Sequence, residues 1–229
     1  MLDYIAIQKE LQSLEARNKE SFPKFQLKAA KNYIRILPEF DEKGLFWFKI
    51  LFHWQIFKYP VICNKAFEDE CIICSEFDKL PVDKKKALWK LRAQGVYLMN
   101  IVDIKEAPNK VQVATFFSRI AMPVFSFASD KTLNLLDPDA GRSIVIDRTT
   151  KDVLVYPDTA GVVQIDKSLL KGLYKLDKLY TPLASETVPE VAEKLVQIFS
   201  SVTTPSDGAT SKTQESIIAD FMAKFPQKK

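Results

Sequence analysis

The chain has one histidine and three cysteines, and all four lie between positions 53 and 74. Their order is His53, nine residues, Cys63, seven residues, Cys71, two residues, Cys74. An odd number of cysteines cannot close a complete disulfide framework, and soft ligands gathered in one short window read as a metal site. The Cys71-Ile72-Ile73-Cys74 spacing lets two thiolates converge on one ion. Zinc takes thiolates and imidazole in a tetrahedron, and a Cys3His set fills every position, which makes a closed, structural site. Three thiolates overcompensate a divalent ion by one charge, and Lys58 and Lys65 stand nearby in sequence to offset it. The competing reading is three buried core cysteines beside an unrelated histidine.

The same count argues against an enzyme. A catalytic zinc keeps an open position for water or substrate. Here every soft ligand is used, and no second histidine remains for proton transfer. A Ser-His-Asp or Cys-His arrangement would have to spend a metal ligand. Asp103, Glu106 and Asp147 are available carboxylates, but nothing in their spacing pairs them. No glycine-rich phosphate loop is visible among the six glycines.

A second feature lies downstream. From Lys84 to Arg119 there are eight basic residues, Lys84, Lys85, Lys86, Lys90, Arg92, Lys105, Lys110 and Arg119, against Asp103 and Glu106. Trp89, Tyr97, Phe116 and Phe117 are interleaved with them. Single-stranded nucleic acid is held by cationic grooves for the backbone and aromatic platforms for the bases. The competing reading makes Lys84 to Lys86 a solvated helix face and puts Trp89 and Phe116 in the core.

The elements that would position these residues follow from periodicity. Residues 2–20 predict a helix, with Leu2, Ile5, Leu11 and Leu14 as its apolar positions. Lys24 to Lys28, Tyr33 to Leu37 and the aromatic-rich Leu45 to Trp54 predict strands. Ser75 to Gln94 is helical in pattern and broken at Pro81, which suits a first helical position. Val96 to Ile104 and Val111 to Phe117 predict two strands joined by a turn over 105–109. Ile120 to Leu136 reads as partly helical. Ser143 to Asp147 and Val153 to Tyr156 predict a hairpin. Leu169 to Leu179 and Val188 to Phe199 read as helices. Ser200 to Thr213 is a linker by composition, and Gln214 to Phe225 predicts a short amphipathic helix. Strands first, with helices inserted and trailing, point to a mainly β, α+β fold: a small β-barrel with helical decoration.

The totals bound the function classes. Of 229 residues, 47% are apolar, enough for a real core, and the formal net charge of +4 permits a polyanionic partner without demanding one. No apolar run approaches the roughly 18 residues needed to span a membrane. The opening Met1-Leu2-Asp3-Tyr4 lacks a secretory pattern, so a soluble cytoplasmic protein is expected.

The metal set and the basic segment together resemble the zinc-containing single-stranded-DNA-binding, or helix-destabilising, proteins of T4-type bacteriophages. The likeness runs through Lys24-Phe25-Gln26-Leu27-Lys28, Tyr33-Ile34-Arg35-Ile36-Leu37-Pro38 and the set His53, Cys63, Cys71, Cys74. It returns in Tyr97-Leu98-Met99-Asn100-Ile101-Val102 and covers roughly residues 24–160. The resemblance implies an OB-fold-like β-barrel with a small zinc subdomain (about 50–95) inside a core of 23–199. A helical arm over 1–22 precedes that core, and 200–229 follow it as linker and short helix. It implies one structural Zn2+ and a cleft for single-stranded DNA, with service to phage replication, recombination and repair in the host cytoplasm. Other copies along the strand and replication and recombination proteins are the further partners it implies. Tyr97 falls where the family places a cleft tyrosine, and Leu98 stands where an aromatic is often seen.

Basic segment and resemblance together give an expected DNA site of Arg35, Lys84, Lys85, Lys86, Arg92, Tyr97, Lys105, Lys110, Phe117, Arg119 and Tyr156. Tyr97, opening its strand, and Tyr156, ending its own before Pro157, are expected as stacking platforms; the competing reading has both rings capping the barrel. The alternative function is a zinc-stabilised protein-interaction or transcription-accessory module without DNA binding. A zinc-dependent hydrolase on nucleic acid would need the open position that the ligand count denies.

Overall fold

The computed structural model describes residues 22–38, 44–183 and 187–201. The expected helices over 2–20 and 214–225, and the linker beyond residue 201, lie outside them. The fold is α+β, with seven strands in one large antiparallel sheet: β1 (Lys31–Ile36), β2 (Trp47–His53), β3 (Val61–Ile62), β4 (Gln94–Asp103), β5 (Ala107–Phe117), β6 (Arg142–Asp147) and β7 (Leu154–Val162). The helices are α1 (Ile72–Asp78), α2 (Val82–Ala87), α3 (Ser118–Ser129) and α4 (Val188–Ser201). None of the described helices is long and apolar enough to cross a membrane. The chain divides into two compact units, one of Met1–Phe48 with Tyr97–Leu179 and one of Lys49–Val96 with Tyr180–Lys229.

In the first unit β1 lies between β4 and β6, with Ile34 opposite Asp103 on one side and Ile144 on the other. β7 extends the sheet from β6, and β5 pairs with β4. One face of the sheet buries Ile34, Ile36, Met99, Ile101, Ile144 and Ile146 against Ile120, Ala121 and Val124 of α3. The other face buries Leu37, Val102 and Val111 under Ile165, Leu169, Leu170 and Leu173. Because both faces are covered, β4 is buried from Val96 to Asp103 and has no polar alternation to show.

Three segments differ from expectation. Lys24 to Lys28 is not a ladder strand: Phe25 N–H donates to the Val113 carbonyl, Lys24 makes one isolated bridge to Val113, and the Asn32 amide binds the backbone of Lys28 and Ala30 instead. Leu169 to Leu179 is not one helix but two 3-10 turns, Lys167–Gly172 and Leu176–Lys178. Between them the backbone of Tyr174 is taken by the buried Asn100 amide, whose Nδ2 donates to the Tyr174 carbonyl at 2.9 Å and whose Oδ1 accepts its N–H at 3.1 Å. A side-chain amide that satisfies both backbone groups of one residue removes them from any helix. The β4–β5 turn is also shorter than 105–109, because Asp103 Oδ1 accepts the N–H groups of both Lys105 and Glu106, and β5 begins at Ala107.

The second unit is small, with a single core cluster. β2 and β3 pair in it with His53 opposite Val61, and α1 and α2 follow in sequence. Pro81 caps α2, one residue before the helical position expected of it. The 3-10 turn Trp89–Leu91 leads into β4.

Candidate metal centre

Local structure brings the four ligands together within the second unit. His53 ends β2, and Cys63 follows β3 directly, so the β2–β3 pairing joins them. Cys63 N–H donates to the Leu51 carbonyl at 2.8 Å. The 3-10 turn Asn64–Phe67 then reverses the chain, with Glu68 in the left-handed region at φ 62°. Cys71 is the N-cap of α1 and Cys74 lies in its first turn, which the Ser75 N–H closes on the Cys71 carbonyl at 3.0 Å. An N-cap side chain and one three residues on both face the open end of a helix. That is why the two-residue spacing makes the sulfurs converge.

All four side chains are buried, and their ligand atoms lie within 4.8 Å of one another. His53 Nε2 is 3.2 Å from Cys71 Sγ and 3.7 Å from Cys74 Sγ, and the Cys63 and Cys74 sulfurs are 3.6 Å apart. A tetrahedron with zinc–sulfur bonds of about 2.3 Å and zinc–nitrogen bonds of about 2.0–2.1 Å has edges of about 3.6–3.8 Å. A disulfide would need sulfurs about 2.05 Å apart, and all three cysteines are free. The group is consistent with one structural metal ion such as zinc, and the donor chemistry fits it. His53 presents Nε2 to the sulfurs while Nδ1 lies 2.6 Å from the Leu91 carbonyl, which fixes the tautomer as a neutral ligand requires.

Protons and a cation compete for these lone pairs. Burial opposes a charge on His53, but the Cys63 and Cys71 sulfurs and the Leu91 carbonyl outweigh it and raise its pKa to about 9. Hydrogen bonds from Cys63 and Cys74, helped by His53, push the Cys71 thiol down, whereas Cys74, facing Cys63 and Cys71, is pushed up. The protein alone thus favours one thiolate, and a divalent cation is what allows all three to ionise together. With four protein ligands filling a tetrahedron, such an ion is suited to holding the fold. Lys65, expected to offset the thiolates, has its ammonium 4.0 Å from Asp78, and Lys58 is exposed.

The residues expected to touch DNA are placed very differently from one another. Arg35 is fully buried and is corrected to a structural role. Its Nε donates to Val163, Nη1 to Leu135 and Arg142, and Nη2 to Asp137, all backbone carbonyls. Burial lowers its pKa to about 10, the nearby Asp137 opposing that shift, so it stays a cation at neutral pH. Tyr97 is also corrected. It is 9% exposed, and its ring packs edge-on against Trp47 at 5.7 Å and Phe125 at 5.1 Å. Tyr156 does not end a strand, because β7 runs on through Pro157 to Val162; it is half-buried, with its hydroxyl toward Asp147 at 3.4 Å.

The others lie at the surface. Lys84 and Lys85 are half-buried on α2, and Lys86 and Arg92 are exposed. Lys105 lies over the Tyr33 ring at 5.0 Å, and Lys110 is exposed. Phe117 is 49% exposed, and Arg119 pairs with Asp152 at 2.9 Å.

Two exposed aromatics of the second unit were not among the expected contacts: Trp89 at 57% and Tyr59 at 59%. For Trp89 the signal was present, since buried Leu88 and Leu91 flank it and leave positions 89 and 90 facing outward. Lys90 Nζ lies 5.8 Å from the Trp89 ring centroid. This short turn is held from both sides of His53, by its Nδ1 at Leu91 and by the Trp54 N–H donating to the Lys90 carbonyl at 3.2 Å. No protein-family model and no curated protein matches the chain. The chemistry of this centre therefore stands on its own geometry.

Proposed function

We propose that the protein binds single-stranded DNA without catalysis, with its metal site as a structural anchor for part of the contact surface. The observation that carries this reading is the strip from Lys84 to Arg92. There a solvent-facing indole stands between Lys90 and Arg92, beside three further lysines, on backbone tied to a metal ligand. An exposed tryptophan has no folding benefit, and an aromatic face among cations suits unstacked bases and their phosphates. Tyr59, offset-stacked on Phe57 at 5.3 Å next to Lys58, offers a second face on the same unit. On the other unit Lys105, Lys110, Phe117 and Arg119 are the surface candidates.

The reading extends to the resemblance in sequence. It takes the antiparallel sheet as an OB-fold-like barrel and the protein as a coat for single strands in phage replication, recombination and repair. Other copies and replication proteins would be partners. A zinc-stabilised interaction module is the second reading, favoured by Val82, which is 70% exposed beside the same strip.

The test is an anisotropy titration with single- and double-stranded oligonucleotides at two salt concentrations. Log affinity for single strands should fall with log salt at about −0.7 per phosphate neutralised, with little sequence preference. A flat salt response, or preference for duplex, would overturn the DNA reading and leave the interaction module.

A further inference from the structure

The second unit is completed by a segment that returns to it at Tyr180, after the whole stretch 97–179. Three contacts of that segment land beside metal ligands. The Tyr180 ring meets Phe52, the neighbour of His53, edge-on at 5.6 Å. Leu183 N–H donates to Asn64 Oδ1 at 2.8 Å, next to Cys63. α4 packs on α1, the helix that carries Cys74, and its Val191, Ala192 and Leu195 share one core cluster with Cys63, Cys71, Ile72, Ile73 and Cys74.

α4 has little else to hold it. Its buried side chains are Val191, Ala192, Leu195 and Val196, a single narrow stripe. An isolated helix of this length is marginal in water, so its order depends on docking. The surface it docks on is shaped by the ligands, because Cys71 caps α1 and Cys63 opens the turn that presents Asn64.

We propose that the metal centre is a latch for this C-terminal segment. An ion in the site holds residues 180–201 docked; its loss releases them and uncovers an apolar face of Ile72, Ile73 and Phe77. The coupling runs both ways, since two events that stabilise each other do so by the same factor. Undocking α4 must therefore weaken the grip on the ion.

Hydrogen exchange followed by mass spectrometry tests this on the full chain, zinc-loaded and after treatment with EDTA. Peptides within 188–201 should lose protection together with those of 61–78, while those of β1 and β6 keep theirs. In a second arm Leu195→Asp, which places a charge in the α4 stripe, should pass zinc to a competing chelator at about tenfold lower chelator concentration than wild type, a usual size for such coupling. The latch is overturned if 188–201 stays protected without zinc, or if Leu195→Asp holds zinc as tightly as wild type. Loss of protection in β1 and β6 as well would also overturn it, because the ion would then hold the whole fold and not this segment.

Discussion

The Nδ1 atom of His53 lies 2.6 Å from the carbonyl oxygen of Leu91, so one imidazole joins the metal cluster to the turn that carries Trp89. Removing the ion should therefore disturb both. Purified protein prepared without chelators should hold one zinc per chain by elemental analysis. EDTA or Cys71→Ser should lower the melting temperature, since binding free energy in such sites is folding free energy. Zinc should also leave as pH falls, because every ligand must be deprotonated to bind. Metal-free protein of unchanged stability would contradict the assignment.

Trp89 and Tyr97 should separate cleanly. Stacking on an aromatic is worth about 1–3 kcal/mol per base, so Trp89→Ala should weaken oligonucleotide binding roughly 5- to 150-fold while the melting temperature hardly moves. Trp89→Phe should keep most of the affinity. Tyr97→Ala should do the reverse, with a loss of stability of about 3 kcal/mol or more for an emptied aromatic site. Binding and melting curves on the same three variants decide it.

Arg35 and Gly141 form a tight pair. A side chain at Gly141 would overlap the Arg35 guanidinium and the Asp137 carbonyl. Arg35→Leu strands four buried carbonyls and should cost about 3 kcal/mol or more, since each unsatisfied group costs about 1–3 kcal/mol. Arg35→Lys should rescue little, having no fork of donors. Gly141→Ala should destabilise by displacing the same fork. Urea denaturation measures all three.

Asp147 carries a pH dependence. The Thr149 hydroxyl, then the Thr149 N–H, Lys31 and Tyr156 hold its carboxyl below the usual range. A carboxyl with a depressed folded-state pKa adds stability above its unfolded value, about 3.9, and that stability is lost as pH falls through the folded value. Asp147→Asn should thus melt below wild type at pH 7, and the gap should close below about pH 4. A gap constant from pH 7 to pH 3 would show that the network is not linked to this proton.

What the sequence disclosed depended on how few explanations each residue allowed. The four ligands were legible because a lone histidine and three cysteines in one window have few other uses. β1, β2 and the β6–β7 hairpin were legible because their apolar runs end at turns. Arg35 was not, because one cation in an apolar strand reads equally as a surface contact or a buried strut. Only its four carbonyl partners, on residues 135, 137, 142 and 163, decide between them. Tyr97 misled for a related reason. Its strand is covered on both faces, and the second cover depends on an Asn100–Tyr174 pairing that local pattern cannot reveal.

Synthesis order gives the divided second unit a further consequence. Its first piece, Lys49–Val96, emerges with all four ligands, but α4 is made only after Tyr97–Leu179. At about 5–20 residues per second that interval lasts several seconds, long enough for local structure to form and for greasy surfaces to stick to one another. The nascent knuckle can thus collect its ion well before its lid exists. Early capture would keep the three sulfurs from oxidation and shape a waiting groove, so the last helix would arrive at a finished dock instead of having to build one.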